Sequence, residues 1–476
     1  MMKKLILTLL SAATAALTAQ AATPCKGTVR CGGRGVGGVV VTDGEHCART
    51  DAKGRFTLPV GDDARFVYLS TPAGYASPVV EGVARFYLPA EAGRKSYDFE
   101  LTAKPTDETR HGFVVTADPQ IFAREEFRML EKSAADIRRT VENAGRPFHG
   151  ICVGDLISGD HGFYPEYNRV MAGTGIAFRN AMGNHDMQIW GRSYETSLGP
   201  FEAMYGPCYY SYNAGRVHYV VLNDNFFVGR DWYYIGYLEE RQLAWLEKDL
   251  QYVPAGSTVV VALHIPTMYK DKQTLPFDYQ KAERSLCNYR ALYALLEPYQ
   301  AHIVSGHMHT TANSAIREGL YEHNVAALSG AWWQGAICTD GTPAGYAVFE
   351  IDGDDVRWRY KATGHPADFQ IKVYDGTDDP AFAGRIVANV WNCDPAWTVE
   401  MRADGGPPTA MERTTAVDPE ARALYADTSK LVHKWITVIP SDHYYAAPLP
   451  AGTRRVEVIA RDRFGTVYHA EKEITR

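Results

Sequence analysis

Gly150-Ile151-Cys152-Val153-Gly154-Asp155 decides how this chain is read. An apolar run with the character of a buried strand stops abruptly on a glycine and a carboxylate. The same punctuation recurs along the chain. Phe113-Val114-Val115-Thr116-Ala117 stops on Asp118, and Val217 to Leu222 stops on Asn223-Asp224. Thr258 to Leu263 delivers His264-Ile265-Pro266, and His302-Ile303-Val304-Ser305 ends in Gly306-His307-Met308-His309. Gly175 to Asn180 leads into Gly183-Asn184-His185-Asp186. Between the runs, Arg124 to Asn143, Glu239 to Leu250 and Arg290 to Leu296 have helical spacing. Strand and helix alternate, which predicts an α/β core. In such cores ligands gather outside the carboxyl ends of the strands. The strand ends carrying Asp118, Asp155, Asn184-His185, His264 and His307-x-His309 are therefore expected to converge on one edge.

The rest of the chain frames that core. A length of 476 residues, 46% hydrophobic and 22% charged, fits a globular protein of two to four domains. Met1-Met2-Lys3-Lys4, the apolar run Leu5 to Leu10 and the small-x-small site Ala19-Gln20-Ala21 read as a secretory signal peptide over residues 1–21. It is too short for a membrane span, and Pro24 before Cys25 breaks a lipobox. The expected location is periplasmic or secreted, with no transmembrane segment. Losing Lys3 and Lys4 and no acids takes the formal charge from −7 to −9. An acidic surface argues against a nucleic acid duplex as partner, since phosphate backbones call for clustered Lys and Arg. In an oxidising compartment some of the eight cysteines are candidates to pair, with Cys25, Cys31 and Cys47 crowding one region. Cys152, inside an apolar run, reads as a buried free thiol.

Residues 23–104 alternate short strands with turns and resemble the transthyretin-like or carboxypeptidase-regulatory-like β-sandwiches. Residues 106–363 hold the strand-and-helix core. Residues 364–476 read as a β-rich domain, with strands expected over Arg385 to Trp391, Trp397 to Arg402, Leu431 to Ile439 and Arg455 to Ala460.

Asp118, Asp155, Asn184, His264, His307 and His309 make an oxygen and nitrogen donor set without a thiolate. That chemistry suits two divalent or trivalent ions such as Mn, Fe or Zn, provided one carboxylate bridges them. Neighbouring ions clamp phosphoester oxygens and acidify a bound water to hydroxide. His307 and His309, two residues apart on an extended segment, would face the same way.

The ordered motifs Asp118-Pro119-Gln120, Gly154-Asp155, Gly183-Asn184-His185-Asp186, His264 and Gly306-His307-Met308-His309 resemble those of the calcineurin-like metallophosphoesterases. The flanking regions look like the accessory modules of secreted members from Bacteroides-type bacteria. The resemblance implies two packed β-sheets flanked by helices, between an N-terminal β-sandwich and a C-terminal β-rich domain. It implies that Asp155 bridges two ions, with Asp118 and His309 on one and Asn184, His264 and His307 on the other. His185 would protonate the leaving oxygen or stabilise the transferring phosphoryl, with Asp186 orienting it. Gln120 departs from the family's usual Asp-x-His. Its neutral amide is a weaker ligand than imidazole, acting directly, through water, or not at all.

The implied function is a binuclear metal-dependent phosphomonoesterase or phosphodiesterase acting on a small-molecule or surface phosphoester. The alternative is a cell-surface glycan- or partner-binding protein on a vestigial phosphoesterase core. Gly159-Asp160-His161 reads either as lining of the site or as a solvated loop. Tyr209-Tyr210 and Trp332-Trp333 read either as stacking platforms or as packing at the domain junctions. Asn223-Asp224-Asn225 is expected to help by hydrogen bonding and not as a metal ligand.

Overall fold

A computed structural model describes residues 23–268 and 277–474, so the expected signal peptide lies outside the described residues. Strand Arg110–Thr116 is the axis of the core. It pairs in parallel with Phe148–Cys152 and antiparallel with Gly345–Asp352. Phe178–Asn180 and Asp355–Ala362 complete a five-stranded sheet. Period-two alternation divides its side chains between two cores. Phe113 and Val115 pack toward the second sheet, while Val114 joins Leu130, Ala134 and Ile137 of helix Phe127–Glu142.

The second sheet has six strands, in the order Tyr210–Ala214, Val217–Val221, Thr258–Ala262, Gln300–Ser305, Leu320–Asn324, Ala312–Arg317. Val217–Val221 through Leu320–Asn324 run parallel to one another. The valines of Thr258–Ala262 are buried throughout, as a parallel strand covered on both faces requires. Leu243 and Leu246 of helix Glu240–Leu250 and Leu292 of helix Tyr289–Leu295 pack with this sheet. The core is thus two sheets packed face to face with helices outside.

Register fixes the site. Thr116 lies opposite Cys152, and Cys152 opposite Asn180; in the second sheet Val221 lies opposite Ala262, and Ala262 opposite Val304. The carboxyl ends of all six strands are therefore level, and the segments following them meet at one rim.

The N-terminal part folds as two sheets around Val29, Val41, Phe56, Leu58, Val67 and Phe99. It docks on the core through Arg241, whose guanidinium lies 2.6 Å from Asp63, and through Tyr209, whose hydroxyl donates to Gly44 O at 2.8 Å. The C-terminal part is likewise two sheets, around Ile386, Val399, Met401, Val456 and Val458. Arg463 joins it to the core, paired with Asp394 at 2.5 Å and lying over the rings of Tyr321 and Trp358.

Two expectations need correction. Leu431 to Ile439 is not a strand: its apolar residues form an irregular segment, with a turn from Ile436 N to His433 O at 3.3 Å. Leu431 and Ile436 pack instead against Ala331, Ala421 and Tyr425 in a small separate core. No cysteine pairing forms either, since all eight thiols are free and Cys152 is buried. No helix among the described residues is long and apolar enough to cross a membrane.

Candidate metal centre

The turns that end the strands are unusual in their backbone. Asp118, Gln120, Asp155, His307 and His309 all have positive φ, at 50°, 45°, 53°, 69° and 53°. Such conformations cost about 1–3 kcal/mol each for side-chain-bearing residues and persist only where surrounding contacts enforce them. Here Gln120 N donates to Asp155 O at 2.7 Å, and Ser329 Oγ donates to Asp118 O at 2.8 Å. His307 N donates to both carboxylate oxygens of Asp118, at 2.9 and 3.1 Å. Two glycines permit the close approach. A Cβ on Gly183 would stand 2.2 Å from Asp155 Oδ1, and one on Gly306 would stand 2.7 Å from Asp118 Oδ2.

Asp155, His264 and His307 bring their ligating atoms within 4.8 Å of one another. His264 Nε2 lies 3.4 Å from Asp155 Oδ2, 3.0 Å from Asn184 Oδ1 and 3.2 Å from His307 Nδ1. The far nitrogens are spoken for. His264 Nδ1 meets Val153 O at 2.8 Å, and His307 Nε2 meets Glu283 O at 2.9 Å. Each ring therefore donates outward to a carbonyl and turns its other nitrogen inward, where a proton or a cation is held, the arrangement that prepares histidine as a ligand.

Electrostatics point the same way. Burial works to raise the Asp155 carboxyl, but His264 and then His185 reverse this and hold it well below the carboxylate range. Burial works to lower His264, yet Asp155 outweighs it and carries the ring up to about 10. Burial, reinforced by His264, drives His307 down to about 3. The pocket is a seat for positive charge beside a neutral imidazole.

Asp118 and His309 form the other half, with His309 Nε2 3.5 Å from Asp118 Oδ1. Gln120 Nε2 donates to Asp155 Oδ2 at 3.1 Å, while its Oε1 and His309 Nδ1 are buried without a hydrogen-bond partner. A buried unpaired acceptor costs about 1–3 kcal/mol. A neutral amide oxygen and an imidazole beside a buried carboxylate are the donor chemistry that a hard or borderline cation takes up. The residues present fit a metal in both halves, and Asp155 Oδ2 faces both.

Several expectations are refined by this geometry. His307 and His309 do not lie on an extended segment. Both are left-handed, so His307 goes to the His264 side and His309 to Asp118. Asp186 does not hold the His185 ring. Its carboxylate accepts from Gly183 N at 2.9 Å, Leu156 N at 3.3 Å and Tyr164 Oη at 3.1 Å. Asn184–Asp186 is a single 3-10 turn, in which successive side chains point in different directions. The polar atom beside His185 Nδ1 is Ser158 Oγ, at 3.5 Å. Burial first, and the Asp155 charge second, push Asp186 up to about 7.

The neighbouring segments act as scaffolding. Asp224 accepts from His264 N at 3.1 Å and Ile265 N at 2.9 Å, fixing the turn that carries His264. His161 Nε2 meets Asp186 O at 3.0 Å, whereas Asp160 accepts from Gly162 N in its own turn. Tyr210 Oη is spent on Asn180 O at 3.0 Å, and Tyr209 belongs to the N-terminal junction. Trp333 Nε1 donates to Pro119 O at 2.8 Å, and Trp332 stacks on His309 with ring centroids 4.3 Å apart.

Sequence models of two domains match the chain: the N terminal of calcineurin-like phosphoesterase over residues 23–104, and the C terminal of calcineurin-like phosphoesterase over residues 322–468. Both matched stretches are domains of the calcineurin-like phosphoesterases. Every candidate site residue, from Asp118 to His309, lies between the two matched stretches.

Among solved structures, a dimetal phosphatase from Danio rerio aligns at 16% identity over 53% of this chain and 96% of its own, with a TM-score of 0.38. A purple acid phosphatase from yellow lupin aligns at 12% identity over 65% of this chain and 60% of its own, with a TM-score of 0.39. A 5'-nucleotidase precursor from Thermus thermophilus aligns at 12% identity over 76% of this chain and 89% of its own, with a TM-score of 0.32. No curated protein matches the chain.

Motif reading missed some residues of the candidate site. Tyr233 Oη donates to Asn184 O at 2.6 Å, and Tyr234 Oη stands 3.5 Å from His307 Nε2. Ser158 falls three residues after Asp155, and that proximity is the one signal that could have found it. The tyrosines carry no such signal, because strands Asn225–Gly229 and Tyr233–Gly236 reach the site through tertiary folding.

Proposed function

We propose that this chain is a secreted or periplasmic hydrolase of phosphomonoesters or phosphodiesters that works with two metal ions. Asp118, His309 and the Gln120 amide oxygen would hold one ion, and Asn184, His264 and His307 the other, with Asp155 shared. The carrying observation is the position of Asp155 Oδ2, 3.1 Å from Gln120 Nε2 and 3.4 Å from His264 Nε2, between the two donor sets. Bound ions supply Lewis acidity to the phosphoryl oxygens and acidify the attacking water. The protein supplies the rest. His185, half-buried and anchored by its N–H to Asp155 Oδ1 at 2.8 Å, gives a proton to the leaving oxygen. Asp186 and Asp224 hold the turns that aim the ligands. The Ala19-Gln20-Ala21 site supports export. A complete donor set speaks against a vestigial core.

Metal analysis of the purified protein, with turnover of 4-nitrophenyl phosphate and its bis ester, tests the reading. About two transition-metal ions per chain and metal-dependent release of nitrophenol are expected. A protein that takes up two ions and turns over neither ester, nor any member of a wider panel, would overturn the hydrolase assignment.

A further inference from the structure

The irregular Leu431 to Ile439 segment brings the C-terminal domain to the mouth of the metal centre. It is fixed by Leu431 and Ile436 in the small core with Ala331 and Tyr425, by Val432 N donating to Gln334 Oε1 at 2.9 Å, and by Ile439 N donating to Thr339 O at 2.9 Å. Of these partners, Ala331, Gln334 and Thr339 belong to the loop that carries Trp332 and Trp333. Both tryptophans are left-handed, with φ of 50° and 60°, so this loop too is held in an uncommon backbone.

The result is a continuous run of rings. His309 stacks on Trp332 at 4.3 Å, and Trp332 meets Trp435 edge to face at 6.3 Å and 83°. Trp435 lies 4.6 Å from His433, and His433 is edge-on to Phe122 at 5.1 Å. Phe122 sits two residues after Gln120, so the run starts and ends on segments of the metal centre. Its outer members are open to water, with Trp435 60% and Phe122 51% exposed. His433, between them, is 2% exposed, yet its Nε2 has no hydrogen-bond partner. Trp332 and His433 are anchored in the junction, while the rings of Trp435 and Phe122 face water beside a charged site, which is the feature of a binding wall.

We infer that Trp435, with Trp332, His433 and Phe122, forms a wall from the C-terminal domain that stacks the ring-bearing leaving group of the phosphoester. This rests on the hydrolase reading above. It makes Trp435 a specificity-determining residue, and it makes the C-terminal domain part of the substrate site. The shared ligand chemistry is a ring face, whether aryl, nucleobase or pyranose, carried on the phosphoryl group directly or through a short linkage. Acyclic alcohols gain nothing from it.

Calorimetric binding of phenylphosphonate and methylphosphonate to the manganese-loaded protein tests the wall without turnover. Ring stacking of the kind seen on exposed aromatics should make phenylphosphonate bind on the order of 10-fold tighter. Trp435→Ala should bring that ratio close to one, and Trp435→Phe should keep most of it. An unchanged ratio in Trp435→Ala, or an equal loss for both phosphonates, would overturn the inference. Kinetics on the wild type then identify the ring, comparing 4-nitrophenyl phosphate, a nucleoside monophosphate and a hexose phosphate with glycerol phosphate. If both phosphonates bind but no ester is turned over, the hydrolase reading fails while the ratio still judges the wall.

Discussion

Asp155 Oδ2 lies 3.4 Å from His264 Nε2, joining a carboxylate at the end of one sheet to an imidazole at the end of the other. The two residues are 109 positions apart in the chain, and only the level strand ends of the two sheets bring them together. The proposed chemistry depends on that meeting, so Asp155 is the first residue to change. Asp155→Asn keeps the shape and removes the charge. Metal content measured by mass spectrometry should fall from two ions toward one or none, with turnover reduced by roughly 100-fold or more.

His185 should behave differently. Its backbone, and not its ring, touches Asp155. His185→Ala should therefore retain its metal and lose about 10²–10⁴-fold in kcat, the range for a general acid. The loss should be smallest for esters with good leaving groups such as 4-nitrophenol, because they need little protonation. Equal losses for good and poor leaving groups would remove the acid role.

Gly183 tests the close approach. A Cβ there would sit 2.2 Å from Asp155 Oδ1 and equally close to Asp155 N. Gly183→Ala should displace the Asp155 turn, lowering metal affinity and destabilising the fold by about 1–3 kcal/mol. Thermal unfolding with and without added manganese reads both effects.

The N-terminal junction carries a pH dependence of its own. Glu202 is buried beside Arg65, and burial outweighs that partner to push the carboxyl up to about 7. Its folded value is above its unfolded one, so the native state binds the proton more tightly. The stabilising contribution is complete below about pH 4.5 and is lost as the pH rises through about 7. Glu202→Gln should flatten this part of the stability curve, measured by denaturant unfolding between pH 5 and about pH 8.

The fold and most of the site were legible because both are written in local punctuation. An apolar run that stops on Asp118, Asp155 or His264 marks a strand end wherever the rest of the chain goes. What was not legible depended on backbone geometry or on distant partners. His307-x-His309 spacing suggests a shared face, but two left-handed residues send the rings to different halves of the centre. Asp186 follows His185 in sequence, yet a 3-10 turn separates their side chains and gives the carboxylate to backbone amides. Leu431 to Ile439 has the apolar and β-branched composition of a strand, and its true partners, Ala331 and Tyr425, could not be read from that composition. The segment misread from sequence is the one that places Trp435 against Trp332.

Anomalous diffraction from crystals of the manganese-loaded protein tests the central claim most directly. The account predicts two peaks about 3.5–4 Å apart, on either side of Asp155 Oδ2, one toward His309 and one toward His264. A single peak, or two peaks that do not share Asp155, would contradict it.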